Sequence, residues 1–471
     1  MNIMKNKYSY TALIALTCAF GCKKILSIDN PTNQTSTENV FNMDSKATSA
    51  LIDIYIRMAE EGSGRFTSQS ALLSGLYSDE LEAPPINGNS PTAGFSETRL
   101  QSNNPLLTPF WSESYFCLYQ VNSVIEGLEK STMLSTQLKM QIQGEAKFLR
   151  AYLLFELSNY FGDIPLVTST DRNINQIISR SSRTDVLNFV IKDLKDAEQL
   201  LPSDFSFSGG IRIRATKWAA SALIARAYLY NRDWVNAESE STKLISSPLF
   251  KLEDNLLNVF LLTSTESIWQ LKPVVDPYFD TFEAQFFILE VAPGTEQVFL
   301  RSSLLNAFES GDKRRFDWVG NTPDGNWSYP YKYKLKGQVN ETEASSILRL
   351  AEQYLIRAEA RIQRGNIEGG ITDLNALRSK RRASPTATVP NPLPEISALI
   401  TKEEALLKVF QERRVELFCE YGQRWFDLTR SGRAITELKT VKPQISQKDL
   451  LFPVPQTERE LNPNLSQNMG Y

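Results

Sequence analysis

The chain has 471 residues, of which 42% are hydrophobic and 22% are charged, and its formal net charge is −3. This is the composition of a globular protein with length enough for a sizeable core, and its slight acidity offers no basic face for nucleic acid. The sequence contains no histidine, which excludes His-containing catalytic triads and imidazole metal ligands.

The N-terminus predicts an export signal with a lipid attachment site. Lys5 and Lys7 precede a short apolar run that stops at Gly21 and Cys22, well below the roughly 20 apolar residues of a bilayer span. The segment AFGC (19–22) resembles a bacterial lipobox, with Ala19 where Leu is commoner. We expect residues 1–21 to be a signal peptide, Cys22 to carry acyl chains, and residues 22–43 to form a tether. The alternative is a secreted protein whose Cys22 merely lies near the cut.

Helical periodicity dominates the rest of the chain. Apolar residues recur at three- and four-residue steps from Ala47 to Met58 and from Trp111 to Leu128, a pattern that predicts helices with one buried face. The other predicted helical stretches are 134–160, 183–201, 215–246, 345–382 and 401–430. The regions 63–109, 262–344 and 383–400 are rich in loop-forming residues or alternate like short strands, as Ser267–Leu271 does, and are predicted to be loop insertions. A single mostly α-helical domain over residues 44–471 is expected.

An internal repeat predicts tetratricopeptide-like helix pairs. The segment LIARAYLYNRDWVNAE aligns with YLIRAEARIQRGNIEGGI, so that Ala225 and Asp233 stand opposite Ala358 and Asn366. Each copy reads as a helix with small residues, a polar turn and a second helix. Two copies are too few for a regular solenoid, so degenerate helix pairs that form a scaffold are predicted.

Three longer stretches carry a family resemblance. The segments GEAKFLRAYLLFELSNYFGDIPLV (144–167), ERRVELFCEYGQRWFDLTRSGR (412–433) and LFPVPQTERELNPNLSQNMGY (451–471) are similar to characteristic segments of the SusD/RagB family. The resemblance implies a helical surface lipoprotein of the outer membrane that binds glycans, or in some members peptides. It also implies a partner, a SusC-type TonB-dependent transporter that the protein caps as a lid. No cofactor is implied.

Two of these segments have alternative interpretations. The acidic and basic residues of 412–433 fall at helical spacings, as Glu412 and Glu416 do. They form either an internal ion-pair network, which we favour, or a charged contact for the transporter. The final LNPNLSQNMGY is expected to pack along the scaffold rather than to bind ligand.

The best candidate ligand site lies in KRRFDWVGNTPDGNWSYPYKYK, residues 313–334. Sugar rings stack on aromatic faces and their hydroxyl groups need polar partners, and Pro323-Asp324-Gly325 marks an exposed turn. The candidate ligand residues here are Trp318, Asn321, Asp324, Asn326, Trp327 and Tyr329. In the alternative, Tyr329, Tyr331 and Tyr333 form a strand that buries one face, and Arg314 and Arg315 make structural ion pairs.

A second contribution to the site is predicted from loop residues 78–104. Its candidates are Asn87, Asn89, Phe95 and Arg99, and the segment contains neither Trp nor Tyr. It thus departs from the aromatic platform of starch-binding relatives, which weakens any assignment of starch as the ligand. Five tryptophans are predicted to belong to the core: Trp111, Trp218, Trp234, Trp269 and Trp425.

No enzymatic activity is expected. Glycoside hydrolysis needs two carboxylates about 5 to 10 Å apart, and the candidates Asp79, Glu80, Asp312 and Asp317 are not distinguished from ordinary acidic residues. The sequence contains no phosphate-binding loop, clustered metal ligands or nucleophile elbow. The rival interpretation is a helical scaffold that holds surface enzymes without binding nutrient. Cys117 and Cys419 either pair or remain buried thiols.

Overall fold

Helices form most of the structure. The computed structural model describes residues 40–59, 66–84, 90–274, 280–294, 297–337, 339 and 341–471, without the side chains of 66–68. The helices are α1 (Asp44–Ala59), α2 (Phe66–Tyr77), α3 (Pro91–Ser96), α4 (Leu107–Lys130), α5 (Thr136–Phe161), α6 (Arg172–Asn175), α7 (Arg183–Leu200), α8 (Lys217–Tyr230), α9 (Trp234–Ile245), α10 (Phe282–Phe287), α11 (Ser302–Leu305), α12 (Arg314–Asp317), α13 (Leu350–Gln363), α14 (Ile367–Arg381), α15 (Lys402–Glu416), α16 (Gln423–Arg430), α17 (Ala434–Leu438) and α18 (Gln456–Leu461).

Helix α5 is the central element of the core. It packs against α4 and α7, and almost every residue from Ile142 to Phe161 is buried. Gly144 allows close approach, because a Cβ atom there would lie 2.9 Å from the side chain of Leu201. The helix ends at Gly162, whose φ of 75° is a conformation that other residues rarely adopt. The predicted role of this segment as core architecture is confirmed.

The repeat is confirmed as two stacked helix pairs. Helices α8 and α9 form the first pair, α13 and α14 form the second, and α9 packs on α13. The second helix of each pair begins with the same cap, since Asp233 accepts a hydrogen bond from Asn236 N–H and Asn366 accepts one from Gly369 N–H. These capping residues are the ones that the sequence alignment places opposite each other.

Short antiparallel strands connect the loops to the helices. The described residues form four two-stranded sheets, and the strands are β1 (Leu81–Glu82), β2 (Ile164–Pro165), β3 (Arg180–Ser181), β4 (Ser267–Leu271), β5 (Phe299–Leu300), β6 (Val319–Asn321), β7 (Ser328–Pro330) and β8 (Ser345–Arg349). Strand β1 pairs with β5, β2 with β3, β4 with β8, and β6 with β7. The predicted strand Ser267–Leu271 is confirmed.

Three boundaries differ from the sequence expectation. Residues 345–349, predicted as helix, form the largely buried strand β8, which pairs with β4. Residues 66–77, predicted as loop, form the buried helix α2, whose Ser and Gly residues resemble loop composition. The stretch 401–430 is broken into α15 and α16 by a turn in which Cys419, Tyr421 and Gly422 have positive φ.

A buried ionic cluster fastens the helices to the loops. Glu416, at the end of α15, lies 2.7 Å from Arg314, 2.5 Å from Arg349 and 2.9 Å from Arg381. All four side chains are at most 2% exposed. The internal ion-pair network predicted for 412–433 is therefore confirmed, and so is the structural role of Arg314.

The C-terminal segment lies along the scaffold, as predicted. Asn468 donates to the carbonyl oxygens of Phe161 (2.9 Å) and Phe452 (2.7 Å), and Asn462 donates to that of Ile178 (2.9 Å). Cys117 and Cys419 are buried and are not joined by a disulfide. Among the described helices, none is both long enough and apolar enough to cross a bilayer.

Candidate ligand-binding surface

The hairpin of β6 and β7 presents the tip of the first predicted site segment. Asp324 closes its turn by accepting hydrogen bonds from the Thr322 hydroxyl (2.5 Å) and from the side-chain amide of Asn326 (2.8 Å). These bonds lower the pKa of Asp324. Gly325, with a φ of 74°, completes the turn. Asn321, Asp324 and Asn326 are exposed, so they stand at the surface where hydroxyl groups of a ligand could reach them.

Trp327 follows the turn and forms an aromatic pair with Phe299. The ring centroids are 4.6 Å apart in an edge-to-face arrangement, and both side chains are half-buried. Phe299 lies on β5, opposite Glu82 on β1. Strand β1 belongs to the second predicted segment, and Trp327 belongs to the first. Phe299 touches Trp327 and pairs with β1, so it brings the two predicted segments next to each other.

A cleft of about 440 Å³ opens beside this surface. Its lining includes Glu82, Ser90, Thr92, Arg99, Arg301 and Lys442. Arg301 comes two residues after Phe299 and therefore projects from the same face of the extended chain. Its guanidinium lies 3.2 Å from Glu82 and donates to the Leu81 carbonyl oxygen at 3.1 Å. The aromatic pair and the cleft therefore lie next to each other along β1 and β5, and together we call them the loop-face site.

Three predicted ligand residues are instead buried. Trp318 has no exposed surface, because it packs on Phe260 and donates to the Leu256 carbonyl oxygen at 3.2 Å. Phe95 is likewise fully buried, against Tyr77. Tyr329 is 8% exposed. The predictions that these rings stack on a ligand are therefore wrong, and the hairpin buries one face, as the alternative interpretation proposed.

The burial of Tyr329 follows from strand pairing. Gly320 is its cross-strand partner, and a Cβ atom on Gly320 would lie 2.3 Å from the tyrosine ring. The ring therefore lies over the glycine backbone rather than over a ligand surface. Tyr333 is buried as well and accepts a hydrogen bond from Ser346 N–H at 2.8 Å.

The remaining predicted residues divide into two groups. Arg99 is exposed, lines the cleft and forms an ion pair with Glu97. Asn87, Asn89 and the lipidation site Cys22 lie outside the described residues. Their predicted roles stay predictions.

Sequence reasoning missed Glu82, Phe299, Arg301 and Lys442. For Phe299 and Arg301 a weak signal existed, because VFL (298–300) is a short apolar run of the kind that forms a buried strand, but the run does not show which side chains face outward. Val298 and Leu300 are buried, whereas Phe299 and Arg301 are half-buried. For Lys442 no local pattern marks a buried lysine.

Two adjacent carboxyl groups behind the cleft have opposite shifts in pKa. Burial alone would raise the pKa of Asp79, but Arg424 and Arg414 lower it to about 2. Burial raises the pKa of Glu80 to about 8, although a hydrogen bond donated by Cys419 N–H opposes this shift. Opposed pKa values can mark an acid and a base, but both side chains are enclosed, at 5% and 2% exposure. They hold the scaffold and do not face the loop-face site.

A second cavity, of about 430 Å³, lies at the helix pairs. Trp234, predicted as core, is half-buried and lines it with Phe410 and Arg430. Arg430 is already bound to Glu359 at 2.6 Å. In the part of the chain that the structure describes, no cluster of three or more acidic or cysteine side chains could hold a metal ion.

Comparison with known proteins places this fold. A family model described as "Starch-binding associating with outer membrane" matches residues 26–229, and one described as "SusD family" matches residues 321–471. Two SusD-like proteins of Formosa agariphila are 24% and 23% identical to this chain, and the alignments cover 99% and 98% of it and 100% and 98% of the relatives.

Solved structures agree with the family models. A SusD superfamily protein from Bacteroides vulgatus superimposes with a TM-score of 0.78 at 22% identity, over 92% of this chain and 100% of that one. A "Laminarin binding SusD-like protein" gives 0.76 at 21% identity, over 91% and 99% of the two chains. "Surface glycan-binding protein A" from Bacteroides uniformis gives 0.75 at 21% identity, over 90% and 99%. This chain, with its mostly helical SusD-like fold, belongs to the SusD family.

Proposed function

We propose that this protein is a lipid-anchored glycan-binding subunit of the cell surface. It delivers its ligand to a SusC-type TonB-dependent outer-membrane transporter and acts as the lid of that transporter. The observation that carries the glycan assignment is the half-buried Phe299–Trp327 pair beside a polar cleft. The laminarin-binding and glycan-binding relatives support the same class of ligand.

The loop-face site has the two chemistries that a sugar requires. The aromatic pair offers apolar surface for the C–H faces of a ring. Asn321, Asn326 and Arg99 are exposed and supply hydrogen-bonding groups for hydroxyls. The site resembles other small-molecule sites in combining apolar lining with a few placed polar groups.

The scaffold supports binding because it holds the loops in place. The hairpin begins next to Trp318, whose ring lies over the cationic groups of Lys332 and Arg381 at 5.1 and 5.4 Å. A preorganised site loses less conformational entropy on binding. We assign the protein no catalytic role, since the carboxyl groups with opposed pKa values, Asp79 and Glu80, are enclosed.

Replacement of Trp327 tests the site. Calorimetric titration of the chain that begins after Cys22, against soluble polysaccharides and peptide mixtures, should show binding without product formation. Trp327→Ala should weaken glycan binding at least about tenfold, because a central aromatic anchor is lost. Trp234→Ala, which changes a half-buried ring at the second cavity, is the matched control and should bind as the wild type does. Turnover of the glycan, or equal binding by Trp327→Ala, contradicts the proposal.

Replacement of Cys22 tests the anchor and the partner. Cys22→Ser should release the protein from the membrane fraction, because the acyl chains are lost. The wild-type protein, purified from detergent-solubilised membranes, should bring with it a large barrel protein. Recovery of hydrolases without a barrel supports the rival scaffold function, and a Cys22→Ser protein that stays on the membrane contradicts the lipid anchor.

A further inference from the structure

We propose that the folded domain touches the lipid bilayer at the corner where the tether enters it, through three exposed methionines. We call this surface the entry corner; it consists of residues 41–44 before and at the start of α1, the α4–α5 connection at residues 131–135, and the first two turns of α5. Its methionines are Met43, Met133 and Met140. This inference rests on the proposed lipid anchor at Cys22 and adds a second contact between the protein and the membrane.

The chain enters the fold at a fixed point. Phe41 is 4% exposed, and a Cβ atom on Gly127 of α4 would lie 2.2 Å from its ring, so the ring lies directly over the glycine backbone. The Ser131 hydroxyl donates to the Phe41 carbonyl oxygen at 2.6 Å. Seventeen residues separate Cys22 from Val40, and a chain of that length spans at most about 60 Å. The entry corner is thus the first described part of the chain after the anchor, and the anchor keeps it within that distance of the bilayer.

Hydrogen bonds hold the two segments of this corner together. Asp44 accepts bonds from the hydroxyl (3.2 Å) and the N–H (3.4 Å) of Ser135. These bonds and the one to Phe41 keep the turn before α1 alongside the α4–α5 connection. Met43 lies in the first segment and Met133 in the second, so the two methionines are neighbours on the surface.

The exposure of these methionines is unusual. Met43, Met133 and Met140 are 51%, 69% and 43% exposed, although methionine is among the residue types that are most often buried. Met58, on the same helix that Met43 precedes, shows the usual pattern at 3% exposure. The sequence after Cys22 contains five methionines, and three of them are exposed at this one corner. Clustered exposed apolar side chains indicate an interaction surface.

A bilayer fits this corner because the surface has no groove. The three methionines lie on a turn, a connection and the beginning of a helix, and unbranched thioether side chains adapt to a partner that has no fixed shape. The charged side chains of the corner and its edges nearly balance; they are Lys46, Lys130, Lys139, Asp44 and Glu129. The contact therefore depends on apolar side chains. The lysine stems can lie against the bilayer while their ammonium groups remain among the lipid headgroups.

The anchor makes a weak contact effective. Three side chains alone would not hold a free protein on a bilayer. Once Cys22 is anchored, however, the contact forms within one tethered molecule, at a high effective concentration. The acyl chains carry the membrane binding, and the entry corner limits how far the protein moves away on its tether.

Oxidation of the methionines tests the contact. The wild-type lipoprotein, purified from detergent-solubilised membranes, is reconstituted into vesicles of phosphatidylethanolamine and phosphatidylglycerol and treated with chloramine-T, a charged oxidant that converts exposed methionine to its sulfoxide. The Cys22→Ser protein in solution is the reference. Peptide mass spectrometry should show Met43 and Met133 oxidised at least about threefold more slowly on vesicles, because covered side chains react less. Met469, which is 91% exposed in the C-terminal segment, is the internal control and should react equally fast in both samples.

Variants then assign the protection to the methionines. In the double variant Met43→Ser, Met133→Ser, the remaining Met140 should be oxidised on vesicles at the rate that it has in solution, because the apolar contact is lost. Met469→Ser is the matched control and should leave Met140 protected. Since all three replaced side chains are exposed, the variants should fold as the wild type does, which circular dichroism checks.

The outcomes separate this inference from the proposed function. Equal oxidation of Met43 on vesicles and in solution overturns the contact. Protection in native membranes but not in vesicles shows that a protein covers the corner and overturns the assignment to lipid. Protection of Met140 that persists in the double variant overturns the role of the methionines. A Cys22→Ser protein that sediments with the membranes contradicts the anchor, whereas unprotected methionines on a wild-type protein that sediments with the vesicles overturn only this inference.

Discussion

Glu416→Gln is expected to destabilise the protein by about 3 to 5 kcal/mol, the usual result of removing one partner from a buried ion pair. In the buried cluster, Arg314, Arg349, Arg378, Arg381 and Lys332 face Glu266, Asp312, Glu412, Glu416 and Glu420. The five positive and five negative buried charges balance, and the exposed Glu309 also binds Arg378 at 2.8 Å. Glutamine keeps the shape of the side chain but leaves one buried positive charge without compensation.

The measurement is equilibrium unfolding in urea at pH 7, read by circular dichroism. Glu395→Gln, in which an exposed carboxylate is neutralised, is the control and should change the free energy of unfolding by less than about 0.5 kcal/mol. A loss below about 1 kcal/mol for Glu416→Gln would show that the cluster contributes little net stability.

The same cluster explains what sequence analysis could predict here. The charges of 412–433 fall at helical spacings among apolar residues, so an internal network was predictable from that segment alone. Its partners were not, because Arg314 and Arg349 come from segments that look like loop and helix in sequence. The ligand role of Trp318 was predicted wrongly for the same reason. The residues that bury its ring, Phe260 and Lys332, come from other segments of the chain, so the local sequence does not show that Trp318 is enclosed.

The site was predictable in part. Glycine and proline correctly marked the exposed turn at Asp324, whereas for the tyrosines the alternative interpretation, a strand that buries one face, was the correct one. Helix α2 was missed because residues 69–77 are all buried, Ser and Gly as well as apolar residues, so no amphipathic period marks the helix. The cleft could not be derived at all, because it forms only where β1 and β5 pair over a separation of more than 200 residues.

A second large effect is expected from Glu156, which should make the protein less stable as the pH rises. Burial, together with the nearby Glu352, raises the pKa of Glu156 to about 8 from an ordinary 4.5, although Arg226 opposes the shift. The Arg226 guanidinium lies 3.8 Å from Glu156 but only 2.7 Å from Glu352, which it binds through two hydrogen bonds. Neither oxygen of Glu156 has a hydrogen-bond partner among the described residues.

The sign follows from proton binding. Between pH 4.5 and about 8, the unfolded chain releases the proton of Glu156 while the folded chain retains it. Because the folded state then binds more protons, the free energy of unfolding falls as the pH rises through this window. The full loss is reached above about pH 8 and is on the order of 5 kcal/mol, since each pKa unit corresponds to about 1.4 kcal/mol.

Glu156→Gln should therefore stabilise the protein at pH 9 relative to the wild type and have little effect at pH 5, where Glu156 is already protonated in the folded state. Urea unfolding at both pH values measures this difference, and the comparison with wild type cancels the similar contribution of Glu80. Glu352→Gln is the matched control, because Arg226 outweighs burial and lowers the pKa of Glu352. It should destabilise the protein at both pH values. Equal effects of Glu156→Gln at pH 5 and pH 9 would mean that Glu156 is ionised in the folded protein and that Arg226 balances two carboxylates.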